Sequence, residues 1–368
     1  MEGLKETGRL PKLSPACDAR SILIVRLKAL GDIVLSLPIV RACRRRFPNA
    51  RIRYLCRAQY AEALSGVPEL DGVLVLPEHA ARQLALVCAL RREKVDCVID
   101  LLGSPRSALL AFLTGAAVRI GMDTGRRNWC YHHVLPRVMV RDGKRIKCYT
   151  LESNYELIRM LGLEENENRR LDIGFPAAER EMKWAREYIA GVTTGARAIV
   201  GIVPGSVYQA KSWPEERFVE LGNLLTQELH ATPLILWGPG EEELARRVAG
   251  RVEGAVLAPP VGIARLGALI AMVSLLVGPD SGPKHLAVIQ GVPTVTLFGP
   301  TDPRIWDPMT ARHRAVTSAA DCFPCKKRSC EPNRCLSDIS PGTVLTEIAE
   351  VLALAPERGV DARKGERA

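Results

Sequence analysis

The sequence has no apolar run long enough to cross a bilayer. The longest, Leu266 to Val277, falls well short of the roughly 20 residues a membrane span requires. The opening residues MEGLKETGRLPKLSPACDAR hold no apolar core, which argues against a signal peptide or an anchor, so a cytoplasmic protein is expected. Aromatic residues make up only 5% of the chain, too few for a base-stacking platform, and no RNA- or DNA-binding motif accompanies them. Nucleic acid is therefore not an expected partner. The G-x-G-x-x-G fingerprint is missing, which argues against a nicotinamide or flavin cofactor. Gly and Pro are dispersed, leaving no low-complexity segment, and no repeat is visible beyond a strand-then-helix rhythm.

What is present describes a globular protein. At 368 residues the chain can form two domains, and 47% apolar with 25% charged residues is ordinary for a soluble core and surface. The formal charge of +10 favours anionic partners, which charge alone leaves open among nucleic acid, acidic lipid and phosphorylated sugars. Seven of the eleven cysteines are scattered through apolar or helical segments, as reduced intracellular thiols are. Four are clustered as Cys322-x-x-Cys325-x4-Cys330-x4-Cys335. Four thiols make the ligand number of a tetrahedral zinc site, but the spacing is not that of two CxxC knuckles, and a disulfide pair or free thiols fit as well.

Strands are expected at Ser21–Arg26, Arg51–Cys56, Gly72–Leu76, Cys97–Leu101 and Val118–Gly121, separated by helices, one of them running unbroken from Ile33 to about Arg46. A helix is expected near 150–161. The polar stretch GLEENENRRLDIGFP then reads as a linker, placing a boundary between domains 21–165 and 166–355, with a flexible segment 1–20 and a charged tail 356–368. The second half restarts the rhythm with strands at Ala198–Val203, Pro233–Trp237 and Ala255–Leu257, and helices at 177–190, 215–228 and 263–272. Such alternation implies parallel sheets covered on both faces.

The most informative stretch is LLVGPDSGPKHLAVIQGVPTVTLFGPT, Leu275 to Thr301. It reads as strand, turn, helix, strand, with Asp280, Ser281, Gly282 and His285 at the helix N-terminus. Free N–H groups and the helix dipole make such a terminus an anion site, and a carboxylate beside it implies that hydroxyls are bound as well. Taken singly, Ser281 could merely cap the helix and His285 merely pack.

The block D-S-G-x-x-H-L-A followed by G-V-P and F-G-P-T-D-P resembles the nucleotide-sugar motif of the ADP-heptose:lipopolysaccharide heptosyltransferases, glycosyltransferase family 9. Gly31-Asp32 and Lys211-Ser212-Trp213-Pro214 extend the resemblance from Ile22 to about Leu354. It implies an α/β GT-B architecture, two Rossmann-like domains with parallel sheets facing a central cleft, in which the last helix, here Thr343–Leu354, commonly crosses back to the first domain. It implies an inverting transferase that takes heptose from ADP-heptose to a lipopolysaccharide core or related glycan, with no cofactor needed for transfer. Another nucleotide sugar, or a catalytically silent nucleotide-sugar binder, would share these features.

The resemblance makes Asp32 the general base, although Asp32 could equally be the N-cap of the helix beginning at Ile33. Gly31 accompanies it. Lys211, Ser206 and Val207 would hold the diphosphate, Glu242 the ribose hydroxyls with Glu241 as fallback, and Val261 the adenine. Asp280, Ser281, Gly282 and His285 would hold sugar and diphosphate. Arg26 and Lys28, or Arg126, Arg127, Lys144, Arg145 and Lys147, could bind an anionic glycolipid acceptor and rest on the inner membrane face; a solvated surface is the plainer reading of each. Lys284 could add charge to the anion site or point to solvent. Any zinc at the cysteine cluster would be structural.

Overall fold

The computed structural model describes residues 19–123, 125–135, 139–141, 144–146, 149–161, 178–193, 198–325, 327–331 and 333–354. The polar linker, the first eighteen residues, Lys147 and the charged tail lie outside that set. The chain divides into two compact units, one ending at Pro176 and one beginning at Ala177, and each carries one six-stranded parallel sheet.

In the first unit the strands are β1 (Ser21–Val25), β2 (Arg51–Cys56), β3 (Gly72–Val75), β4 (Cys97–Asp100), β5 (Val118–Met122) and β6 (His133–Leu135), in the order β3-β2-β1-β4-β5-β6. The first five match expectation to within a residue or so; in β1, β2 and β4 the β-branched and aliphatic runs are buried on both faces. β6 was not anticipated, nor was the antiparallel hairpin of β7 (Met139–Arg141) and β8 (Lys144–Ile146), which holds Lys144 and Arg145. The helix expected from Ile33 to Arg46 is two helices, Leu30–Val34 and Leu37–Arg46. Pro38 has no N–H to continue the first, but suits the opening turn of the second.

The second unit repeats the topology with β9 (Ala198–Ile202), β10 (Ala231–Ile235), β11 (Val256–Leu257), β12 (Leu275–Pro279), β13 (Thr294–Phe298) and β14 (His313–Thr317), in the order β11-β10-β9-β12-β13-β14. Its core gathers Val200, Ile202, Leu275, Val277, Val295 and Leu297 from the strands, with Phe218, Leu221 and Leu225 from the helix Glu215–Leu229. The terminal helix Pro341–Leu354 buries Val344, Ile348 and Val351 in this same core and packs on Glu215–Leu229, β13 and β14. Over its described length, then, this helix belongs to the second unit.

Both strand orders reverse direction beside the first strand of their unit, between β1 and β4 and between β9 and β12. Open parallel sheets bind ligands at that reversal, outside the carboxyl ends of the strands. Asp32 follows β1, the Lys211 loop follows β9, and Asp280 follows β12.

Candidate active site

In the first unit, Val25 ends β1 and Arg26 begins the loop to the helix Leu30–Val34. Asp32 is the third residue of that helix. Its cap is Ala29, whose N–H reaches Asp32 Oδ2 only at 3.4 Å. The strong partner is Arg26, whose NH2 lies 2.6 Å from Asp32 Oδ2, both side chains being about one-sixth exposed. Arg26 Nε donates to Lys28 O at 2.9 Å and NH1 donates to Leu101 O, at the end of β4. Arg26 thus ties Asp32, the loop after β1 and the end of β4 together. Lys28 and Arg126 are exposed and Arg127 half-buried. Gly31 is buried in the helix. The β4 loop is fixed by Asp100, fully buried, which accepts from Leu102 N, Gly103 N and the Tyr131 hydroxyl. Burial raises its pKa against those hydrogen bonds.

In the second unit the loop 204–214 is anchored at its far end by Trp213, buried edge-on against Phe218 at 4.9 Å with Nε1 donating to Ile339 O at 3.2 Å. That anchor sets the turn Gln209–Lys211 so that Lys211 Nζ donates to Asp280 Oδ2 at 2.7 Å and Asp280 O at 3.0 Å. Lys211 and Asp280 therefore share one site across the β9/β12 reversal. Thr301 Oγ1 donates to the same Oδ2 at 2.9 Å, while His285 Nε2 and Lys284 Nζ stand 3.5 and 3.7 Å from Oδ1. Burial alone would raise the Asp280 carboxyl; the His285 hydrogen bond and the charges of Lys284 and Lys211 outweigh it and hold Asp280 well below the usual carboxylate range. Asp280 is only 5% exposed, so it holds Lys211 in place more than it reaches outward.

Lys284 does not point to solvent. It is buried, donates to Trp306 O and lies 3.7 Å from both Asp280 and Asp307. Burial lowers its pKa, opposed by these two carboxylates. Ser281 is at the cap position of the helix Gly282–Ile289 but makes no capping bond, and its buried hydroxyl has no hydrogen-bond partner among the described residues. A buried, unspent hydroxyl at a helix N-terminus beside a lysine is suited to a phosphoryl oxygen. His285 is buried behind Asp280, edge-on to Trp306.

Glu242 is paired with Arg246 at 2.6 Å on the outer helix surface. Glu241 instead accepts from Gly238 N at 2.9 Å and packs on Gly205, where a Cβ would lie 2.3 Å from its carboxyl carbon. Burial raises the Glu241 pKa, offset by the Gly238 hydrogen bond. Of the two carboxylates Glu241 is the one turned inward, and Glu242 the one on the helix surface. Ser206 is half-buried, with its Oγ 3.4 Å from Tyr208 N; Val207 is 90% exposed and Val261 half-buried. Thr301, which the sequence reading passed over, lay in the F-G-P-T-D-P run and was signalled only by following a strand end.

The four clustered cysteines line a cavity of about 140 Å³ with Ala210, Pro300, Asn333 and Arg334. Among the described residues, no three His, Cys, Asp or Glu side chains are disposed to hold a metal. Burial, then the neighbouring Cys322, Cys325 and Cys330, push the Cys335 thiol up to about 11. The zinc expectation thus finds no support in the geometry. The segment instead braces the Lys211 loop: Ala210 N donates to Arg328 O, and Asn333 Nδ2 donates to Ala210 O and Ser212 O.

The model of the family described as glycosyltransferase family 9 (heptosyltransferase) matches residues 83–335. The chain is 24% identical over 365 residues to lipopolysaccharide heptosyltransferase 1 of Pseudomonas aeruginosa, covering 91% of this chain and 99% of that protein. Among solved structures, the glycosyl transferase family 9 protein of Veillonella parvula superposes with a TM-score of 0.77 at 23% identity, covering 93% of this chain and all of that one. The Escherichia coli heptosyltransferase WaaC, solved with ADP-2-deoxy-2-fluoro heptose, gives a TM-score of 0.66 at 23% identity, over 90% of this chain and 99% of that one.

Proposed function

Since this chain belongs to glycosyltransferase family 9, the heptosyltransferases, and is thus a glycosyltransferase, we propose that it moves heptose from ADP-heptose to a lipopolysaccharide core or related glycan with inversion. The observation that carries the donor assignment is the Lys211–Asp280 pair beside the unspent Ser281 hydroxyl at a helix N-terminus. Lys211, the backbone of Ser206 and Val207, and Ser281 with Gly282 hold the pyrophosphate. Together they neutralise the departing ADP from the protein's own groups. Glu241 accepts from the ribose hydroxyls, and Val261 lies against the adenine. The names of the relatives support heptose over another nucleotide sugar.

Inversion needs one base to take the acceptor hydroxyl proton as that oxygen attacks the anomeric carbon, while the C–O bond to ADP breaks. Asp32 is that base. Its position at the first-unit reversal, the counterpart of the Lys211 loop in the second, supports the role. The exposed Lys28 and Arg126 suit a phosphorylated glycolipid acceptor, and no helix among the described residues is long and apolar enough to cross a membrane. We place the enzyme in the cytoplasm, with peripheral contact at the inner membrane face where such an acceptor is anchored. Incubating the purified chain with ADP-heptose and a core acceptor should release ADP and lengthen the acceptor by one heptose. Release from a different nucleotide sugar alone would replace the donor, and no release from any would sink the reading.

A further inference from the structure

We infer that Arg26 is the positioning residue for Asp32: it fixes the orientation of the carboxylate, and through Leu101 it locks the base to the neighbouring β4 loop. This rests on the assignment of Asp32 as base. The observation is that one guanidinium serves three partners at once, Asp32 Oδ2 at 2.6 Å, Lys28 O at 2.9 Å and Leu101 O. The last partner lies across the strand-order reversal from β1. A rigid planar fork can hold three such directions, whereas an ammonium on a flexible stem cannot hold them in one plane.

The consequence for Asp32 is specific. Oδ2 is occupied by Arg26 and, weakly, by Ala29 N, so the carboxylate rotation is fixed and Oδ1 is the oxygen left to accept a proton. The loop alone would not achieve this, because the capping contact to Ala29 is 3.4 Å long. The cation in contact with Asp32 is Arg26, from the end of β1.

The test measures kcat and KM for transfer in Arg26→Gln and Arg26→Lys, with Asp32→Asn as the reference. In Arg26→Gln kcat should fall while KM for the donor stays within about threefold, since the donor groups are in the other unit. Arg26→Lys should recover part of kcat but not all of it, because the charge is kept and the fork is lost. A thermal melt identifies any variant that fails to fold, and Arg26→Lys keeps the question open to test if Arg26→Gln does. An unchanged kcat in a folded Arg26→Gln protein, with Asp32→Asn inactive, overturns the role of Arg26 alone. Full activity in Asp32→Asn overturns the base assignment itself.

Discussion

Replacing Lys211 by Met, Asp280 by Asn, and both together probes the pair to which we assign donor binding. The two groups are 2.7 Å apart, with Asp280 buried and Lys211 one-sixth exposed. A hydrogen bond between charged groups contributes about 1.5 to 3 kcal/mol, and orphaning one member of a fully buried pair costs about 3 to 5. Asp280 would not be orphaned in Lys211→Met, because Thr301 at 2.9 Å and Lys284 at 3.7 Å remain. The stability loss should therefore sit near about 2 kcal/mol, at the lower end of these ranges. Losing the ammonium from the pyrophosphate should weaken ADP binding by a similar amount, about 30-fold. Asp280→Asn should weaken ADP less, by untethering Lys211, and the double variant should resemble Lys211→Met. Calorimetric titration with ADP and denaturant unfolding of all four proteins yield the coupling energy, expected to exceed about 1 kcal/mol. Additive effects, or ADP affinity unchanged in Lys211→Met, would refute the reasoning.

Three further outcomes follow from the geometry. Glu241→Gln should weaken ADP binding several-fold, whereas Glu242→Gln, which only breaks an exposed pair with Arg246, should leave it within about twofold; titrations giving the reverse order would restore Glu242. Gly205→Ala should destabilise the second unit by about 1 to 3 kcal/mol and weaken ADP, because its Cβ would lie 2.3 Å from the Glu241 carboxyl carbon. Burial holds the His313 pKa down at about 4, with its Nδ1 3.0 Å from Thr294 Oγ1. The unfolded chain binds that proton first, so His313 contributes nothing to pH dependence above about pH 7. Below that it removes stability progressively as pH falls from about 6.5 to 4, by at most about 3 kcal/mol. His313→Gln should flatten that part of the stability profile; an unchanged slope would exclude His313 as its source.

The fold was legible where burial wrote it into composition. Runs such as Ser21–Val25 and Leu275–Pro279 are buried on both faces, and glycine or proline closes their helices, so the parallel rhythm stood out. β14, with His313 and Arg314 in a short edge strand, and β6, three residues long, carry no such pattern. The pairing of Lys211 with Asp280 followed from placing both after strands, but the direction in which a side chain turns is set by packing that a linear pattern does not contain. Glu241 and Glu242 differ by one position, and only the space left by Gly205 decides which faces inward. Arg26 read as a surface cation because nothing in the sequence shows that Leu101 O, 75 residues on, stands beside it. Lys284 was ambiguous for the same reason: its partner Asp307 lies beyond the next strand.

The most direct measurement is donor binding and single-turnover ADP release for Asp32→Asn beside the wild type. Loss of a general base should slow transfer by about 100- to 10,000-fold, while affinity for ADP-heptose stays within about threefold because the groups that hold the pyrophosphate are untouched. Transfer at the wild-type rate, or a collapse of donor binding in a folded Asp32→Asn protein, would contradict the division of labour between a base in the first unit and a donor site in the second.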